Sequence, residues 1–228
     1  MTMPRIVGHE EWLKARAALL AREKELTHLR DGLARERRQL PWERVDKTYV
    51  FDAPQGRVTL ADLFGKHQQL LVYHFMFGPD WDEGCKSCSF WADNFNGIWP
   101  HLAARDTAFS LISRAPIAKL EAYRKRMGWT LRWVSSANND FNYDYGVSQR
   151  PGEKEVRYNY GSSRDDEELP GISTFIKQDG TVFHTYSAYA RGIDAVNGAY
   201  QLLDLTAKGR QEEELSFPMS WVRRHDQY

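Results

Sequence analysis

The chain has 228 residues, 42% apolar and 27% charged, with a formal net charge of zero. That length suits one large domain, or one domain with extensions, and the composition is globular rather than disordered. The neutral balance speaks against a nucleic-acid binder, no apolar run approaches the roughly 18 residues of a membrane span, and the N-terminus lacks a signal-peptide pattern, so the cytoplasm is the expected compartment.

Residues 9–40 read as an amphipathic helix. Trp12, Leu19, Leu26, Leu33 and Leu40 recur every seventh residue, Ala15 and Leu29 support the same side, and Arg, Lys and Glu crowd the rest. Arg22 and Glu36 put charges in the intermediate seam, which argues for packing on the protein's own domain over a free-standing coiled coil. Gly32 is a candidate interruption and Pro41 ends the helix.

Residues 48–52 read as a strand, Gly56 as a turn, and 58–60 as a second strand or a helix entry. The run Leu70-Leu-Val-Tyr-His-Phe-Met-Phe77 is continuously apolar and aromatic, the pattern of a central strand covered on both faces. Gly78-Pro79 ends it, and a polar loop leads to Cys85 and a helix from Ser87 to about Leu102. A strand over 107–113, a helix over 116–127 closed by Gly128, and a short strand near 131–134 follow. Residues 135–170 are polar and tyrosine-rich, and read as an irregular insertion carrying the acidic run Asp165–Glu168 on its surface. Asp179-Gly180 joins strands over 171–177 and 181–186 in a hairpin. A closing helix over 193–205 precedes a charged tail. A buried strand that runs through a loop into a cysteine-bearing helix predicts an α/β, thioredoxin-like three-layer sandwich. The expected organisation is an N-terminal helical extension (1–42), a thioredoxin-like domain (43–205) and a C-terminal tail (206–228).

Cys85 and Cys88 are the only cysteines. A Cys-x-x-Cys disulfide closes too small a loop to constrain the unfolded chain much, so the pair suggests chemistry rather than a staple. At a helix N-terminus, backbone N–H groups and the helix dipole favour the Cys85 thiolate, and Lys86 adds a positive charge. Asp80, Asp82 and Glu83 oppose it. Cys88, one turn on, is placed to resolve a mixed disulfide. Three readings stay open: a redox dithiol, a metal site and incidental thiols. A metal site needs further ligands, for which His74 and His184 are the candidates. Neither cofactor nor metal is the expectation, the disulfide itself being the redox group.

The segments Tyr73-His-Phe-Met-Phe-Gly-Pro-Asp-Trp81 and Gly84-Cys-Lys-Ser-Cys-Ser-Phe-Trp-Ala-Asp-Asn-Phe95 resemble a bacterial family of uncharacterised proteins described as predicted dithiol–disulfide oxidoreductases. Further matching motifs include Ser113-Arg-Ala-Pro116, Arg126-Met-Gly-Trp129, His184-Thr-Tyr-Ser187, Ala190-Arg-Gly192 and Arg224-His-Asp-Gln-Tyr228. The resemblance spans nearly the whole chain and implies a thioredoxin-like fold and dithiol chemistry. A more distant resemblance is to alkyl hydroperoxide reductases and other peroxiredoxins. Their proline and threonine, seven and three residues before the attacking cysteine, are replaced here by Gly78 and Asp82. Pro170 also lies too early to serve as the cis-proline of thioredoxins, and Ser173 falls near that place.

The resulting expectation is a thiol–disulfide oxidoreductase with Cys85 as nucleophile and Cys88 as resolving cysteine. His74 and Trp81 are expected to line the site, with Ser173 facing the cysteines and His184, Tyr186 and Arg191 on the rim. The expected substrate is a thiol- or disulfide-containing protein or small molecule, and a homodimer is a further possibility. Alternatives are a thiol peroxidase, a non-enzymatic ligand- or partner-binding module rich in aromatic side chains, and a Cys/His metal site.

Overall fold

A computed structural model describes residues 4–150, 152, 153, 156–164 and 167–228. The chain divides into two compact units, residues 1–41 and 42–228. Among the described residues no helix is long and apolar enough to cross a membrane.

The first unit is built on one helix, α1 (His9–Arg38). Glu10 and Glu11 in its first turn and Arg35, Arg37 and Arg38 in its last complement the helix dipole. Gly32 does not interrupt it.

The second unit begins with β1 (Glu43–Arg44), β2 (Val50–Ala53) and β3 (Gly56–Thr59), then the short α2 (Leu60–Leu63). Thr59 and Asp62 form a reciprocal capping box at the start of α2, which turns the chain out of β3. There follow β4 (Gln69–His74), α3 (Lys86–Phe95), α4 (Trp99–Ala103), β5 (Thr107–Ser113), α5 (Ile117–Arg126), β6 (Trp133–Ser135) and α6 (Phe141–Asp144). A small hairpin, β7 (Val156–Tyr158) and β8 (Ser162–Arg164), precedes the long hairpin of β9 (Gly171–Gln178) and β10 (Thr181–Tyr189). A 3₁₀ segment, Ala190–Val196, leads into α7 (Gly198–Leu203).

Eight of the described strands form one sheet in the order β1-β10-β9-β4-β5-β6-β2-β3. β4 lies parallel to β5 and antiparallel to β9, and β9 is antiparallel to β10. A β-α-β unit (β4, α3, β5) joined to a β-β-α unit (β9, β10, α7) is the thioredoxin-like arrangement; β6, β2 and β3 lengthen the sheet beyond β5, and β1 adds to the other edge. The helices cover both faces. On one, α3 and α5 pack Cys88, Trp91, Phe95, Leu120 and Tyr123 against Tyr73, Phe75, Leu111 and Trp133. On the other, α2 and α6 pack Leu63 and Phe141 against Leu70, Val72, Ile112 and Phe175. β4 is therefore paired on both edges and covered on both faces, which explains its unbroken apolar run.

Four readings from the sequence need correction. The cysteine helix stops at Phe95, because Gly97 takes a left-handed φ of 99° that other residues adopt only under strain, and α4 starts afresh with Pro100 in its first turn. The closing helix is shorter than 193–205, since its first part winds as 3₁₀. The 135–170 segment holds secondary structure: Phe141, fully buried, anchors α6 against Tyr49 and Phe51, and the Asn139 side chain accepts the Phe141 N–H at 2.9 Å. Within the acidic run, Asp165 and Asp166 lie outside the described residues, and Glu168 is not on the surface. It is 2% exposed, held by Arg114 at 2.8 Å and Ser148 at 2.7 Å, and burial pushes its carboxyl up to about 7.

Phe75 is fully buried among Tyr73, Tyr123, Trp129 and Trp133, with the Trp133 ring centroid 4.7 Å away. Phe75→Ala is predicted to destabilise the second unit by about 3–5 kcal/mol, read by urea denaturation.

Candidate active site

The cysteine site grows out of the end of β4. Parallel pairing with the β5 segment continues past the end of β4, through Phe75 N–H to Ile112 O (3.0 Å) and Ala115 N–H to Phe77 O (2.8 Å). The Gly78–Gly84 loop then folds back. Lys119 clamps it by donating to the carbonyls of Pro79 (2.9 Å) and Trp81 (3.1 Å). Gly84 has room for no side chain: a Cβ there would lie 2.8 Å from the Phe75 ring and 3.0 Å from that of Tyr123.

Cys85 is the N-cap of α3. Its N–H donates to Met76 O at 3.0 Å, and the Met76 N–H points at the Cys88 sulfur at 3.4 Å. One peptide segment thus holds both cysteines. Cys85 is partly exposed, Cys88 is 1% exposed, and both are free thiols. Their acidities diverge. The Cys88 thiol donates to Cys85 and, with the N–H groups of Cys88 and Ser87 and the Ser87 hydroxyl, lowers the Cys85 pKa to about 6, against the opposing effect of burial. Burial pushes the Cys88 thiol well above the usual range, and the adjoining Cys85 thiolate pushes it further.

The charges around the loop are arranged differently from the expectation. The groups that act most on Cys85 do not include Asp80, Asp82 or Glu83. Glu83 is bound by Arg126 and, at 2.8 Å, by Arg224. Lys86 donates to Ser220 O at 3.0 Å and is not among the groups that act most on Cys85.

The C-terminal segment, read from the sequence as a tail, is folded onto the cysteine helix. Val222 is fully buried, and the Trp221 ring meets Phe90 edge-on. Arg224 donates to Gly84 O and to the Tyr123 hydroxyl, each at 2.8 Å, and His225 meets Asp93 at 2.7 Å. Tyr123 in turn shares a hydrogen bond with Ser89, whose hydroxyl donates to Cys85 O at 2.9 Å.

Of the residues singled out in the sequence, the structure joins Cys85, Cys88 and Trp81. Trp81 lies in the same loop, packed against the core that contains Cys88. His74, Ser173 and His184 are not at the cysteines. Alternation along β4 turns Tyr73 and Phe75 to the cysteine face and His74 to the other, where it stacks on Phe141 and Tyr145. There His74 Nε2 meets Ser173 Oγ (2.8 Å), Ser173 meets Ser187 (2.7 Å), Ser187 meets His184 Nε2 (2.7 Å), and His184 Nδ1 meets Glu43 (3.2 Å). Burial lowers the His74 pKa to about 3, so its ring is neutral. His184 also lines a cavity of about 710 Å³ with Tyr49, Tyr145, Tyr160 and Tyr189. These histidines lie across the sheet from the sulfurs and cannot complete a Cys/His ligand set. Among the described residues no cluster of three or more His, Cys, Asp or Glu is placed to hold a metal ion. Tyr186 stands on β10 opposite Thr174, and Arg191 is 90% exposed, paired with Asp194 at 3.4 Å. Arg191 is a surface ion pair rather than a rim group.

Two residues that sequence reasoning missed stand closer to the chemistry. Tyr73 is fully buried, its hydroxyl has no hydrogen-bond partner at ordinary distance, and it lies beside the Cys88 sulfur, where it favours the anion. Arg224 ties the loop to the C-terminus. The signal for Tyr73 was a polar tip inside an otherwise apolar strand; Arg224 offered only its place in the C-terminal motif.

A family model described as a bacterial protein of unknown function (DUF899) matches residues 1–228. No curated relative matches the chain. Among solved structures it is similar to the peroxidoxin BcpB of Mycobacterium tuberculosis, at 13% identity and a TM-score of 0.47, over 72% of this chain and 97% of that one. It is also similar to peroxiredoxin Q of Xanthomonas campestris, at 15% identity and a TM-score of 0.45, over 72% and 97%. The mitochondrial 2-Cys peroxiredoxin of Plasmodium falciparum gives 12% identity and a TM-score of 0.43, over 72% and 93%.

Alkylation of the reduced protein is predicted to modify Cys85 first, its rate rising through one ionisation near pH 6 to a plateau. Replacing Cys88 by alanine removes the largest stabilising donor and moves that midpoint up by about one unit or more, read by mass spectrometry of quenched samples.

Proposed function

We propose that this chain, which belongs to the bacterial family DUF899, is a thiol–disulfide oxidoreductase with Cys85 as nucleophile and Cys88 as resolving cysteine. The observation that carries this reading is the opposite displacement of the two thiols: Cys85 lowered to about 6, Cys88 buried and raised, with the second donating to the first. A thiol near pKa 6 is largely thiolate at neutral pH yet keeps useful nucleophilicity.

The reaction is a two-electron exchange. The Cys85 thiolate attacks one sulfur of a substrate disulfide; that S–S bond breaks, and the other sulfur leaves as a thiolate that takes up a proton. Cys85 is then neutral and joined to the first sulfur. The charge that held Cys88 protonated is gone, so Cys88 loses its proton more easily. Its thiolate attacks Cys85 Sγ, the mixed disulfide breaks, and the second substrate sulfur leaves as a thiol. The substrate is reduced to two thiols, and the protein holds a Cys85–Cys88 disulfide that an external thiol reductant must reopen. Tyr73 and the Met76 N–H stand ready to stabilise the transient Cys88 thiolate. The substrate is a disulfide-bearing protein or small molecule that can approach the exposed side of Cys85.

The position of the peroxiredoxin threonine holds Asp82, and the hydroxyl that reaches the Cys85 sulfur comes instead from Ser87, in the first turn of α3; the dithiol reading is favoured over a peroxidase by the second, resolving thiol one turn on. A binding module would make no use of the paired thiols.

Cys88→Ser is predicted to stall as a mixed disulfide at Cys85 when offered a small disulfide such as oxidised glutathione, visible as an added mass. A binder would accumulate no such adduct. Tyr73→Phe is predicted to slow resolution about 10- to 150-fold with little effect on the first attack, corresponding to loss of one hydrogen bond to a charged group. Rapid-quench mass spectrometry separates the two steps, and equal slowing of both would remove Tyr73 from the mechanism.

A further inference from the structure

α1 is a helix of 30 residues, about 45 Å long, and none of its residues is buried. Most of its large apolar side chains follow one seam, with Leu13 and Leu20 standing outside it. Trp12, Leu19, Leu26 and Leu33 stand at one heptad position, 51%, 51%, 48% and 47% exposed, and Leu40 continues the spacing just past the helix end. Isolated helices draw little stability from propensity alone, and an apolar seam of this length gains most of its stability when another surface covers it.

We infer that the occupant of this seam is α1 of a second copy of the chain, paired parallel and in register as a two-stranded coiled coil. With Trp12, Leu19, Leu26 and Leu33 at position a, position d holds Ala15, Arg22, Leu29 and Glu36. The flanking positions then complement each other. In a parallel pair a g residue meets the e residue five positions later on the other helix. Glu11 meets Arg16 of the second copy, and Glu25 meets Arg30. The remaining two pairs, Ala18 with Glu23 and Gly32 with Arg37, bring no like charges together.

The two charged seam residues fit the same register. A d side chain enters a hole bordered by the opposite helix's e residue, one position on. Arg22 thereby meets Glu23 of the second copy, and Glu36 meets Arg37. The charges that weaken a free-standing coiled coil read from one strand are answered by opposite charges on the other. Arg22 and Glu36 lower the stability of the pair while selecting this register, as polar core residues do in other coiled coils. Within one chain Glu11 contacts Arg5 and Arg16 reaches Glu23 at 2.7 Å, exposed ion pairs that association exchanges for the interhelical ones.

The test is sedimentation equilibrium of the full-length reduced protein over a dilution series. The expected species has twice the 26.5 kDa chain mass and dissociates on dilution. Glu25→Arg and Arg30→Glu each turn two attractive pairs into two repulsive ones and are expected to weaken the dimer about tenfold. The double exchange E25R/R30E recovers most of that loss, because residue 25 faces residue 30 of the other copy. Near-UV circular dichroism and Cys85 alkylation stay unchanged in all three variants, which separates lost association from lost folding. Wild-type protein that is monomeric at every concentration overturns the inference. So does a dimer indifferent to the single substitutions, or a double exchange that recovers nothing.

Discussion

Both cysteines hang on the backbone of Met76. Its carbonyl accepts the Cys85 N–H, and its N–H is aimed at the Cys88 sulfur. This is possible because β4, covered on both faces and paired on both edges, stays in line as far as Phe77 before the chain turns back. The loop is then fixed from three sides: Lys119 on its carbonyls, the Phe75 and Tyr123 rings against Gly84, and Arg224 on the Gly84 carbonyl. The site therefore depends on the most deeply packed strand of the unit. Its two sulfurs occupy unlike surroundings, one at the open end of a helix and one inside the core, and that difference separates attack from resolution.

The same strand explains why the histidines belong elsewhere. Neighbouring side chains on a strand point to opposite faces. Tyr73 reaches toward Cys88 while His74, one residue on, enters the other layer and begins the chain through Ser173, Ser187 and His184. Ser187, His184 and Glu43 repeat the order of a nucleophile, base and carboxylate. Ser187 is only 2% exposed and is shared with Ser173, so its hydroxyl is spent on holding the sheet together. The chain satisfies polar groups that burial would otherwise penalise, and it sets the orientation of His184 on the wall of a tyrosine-lined cavity.

Much of the fold was legible in the sequence because the signals were periodic or punctuated: the unbroken run of β4, the Asp179-Gly180 hairpin, the heptads of α1, and a Cys-x-x-Cys pair at the head of a helix. Local pattern says less about where a polar side chain goes after folding. Glu168 looked like surface because its neighbours are acidic, and it is buried because Arg114, 54 residues earlier, arrives at the same place. Asp80, Asp82 and Glu83 looked set to oppose the Cys85 thiolate, but Glu83 is engaged by arginines from α5 and from the C-terminus. Phe141 and Tyr158 lay in a segment rich in turn formers, and only tertiary packing reveals them as core. Face assignment across a sheet and ion pairs between distant segments are the two things a linear reading does not contain.

The proposed chemistry requires Cys85 and Cys88 to cycle between dithiol and disulfide. The most direct measurement is their equilibrium with graded thiol/disulfide buffers, followed by alkylation and mass spectrometry. A reversible two-electron transition is expected between about −120 and −270 mV, the range of dithiol oxidoreductases. Two thiols that stay reduced across the whole series would contradict it.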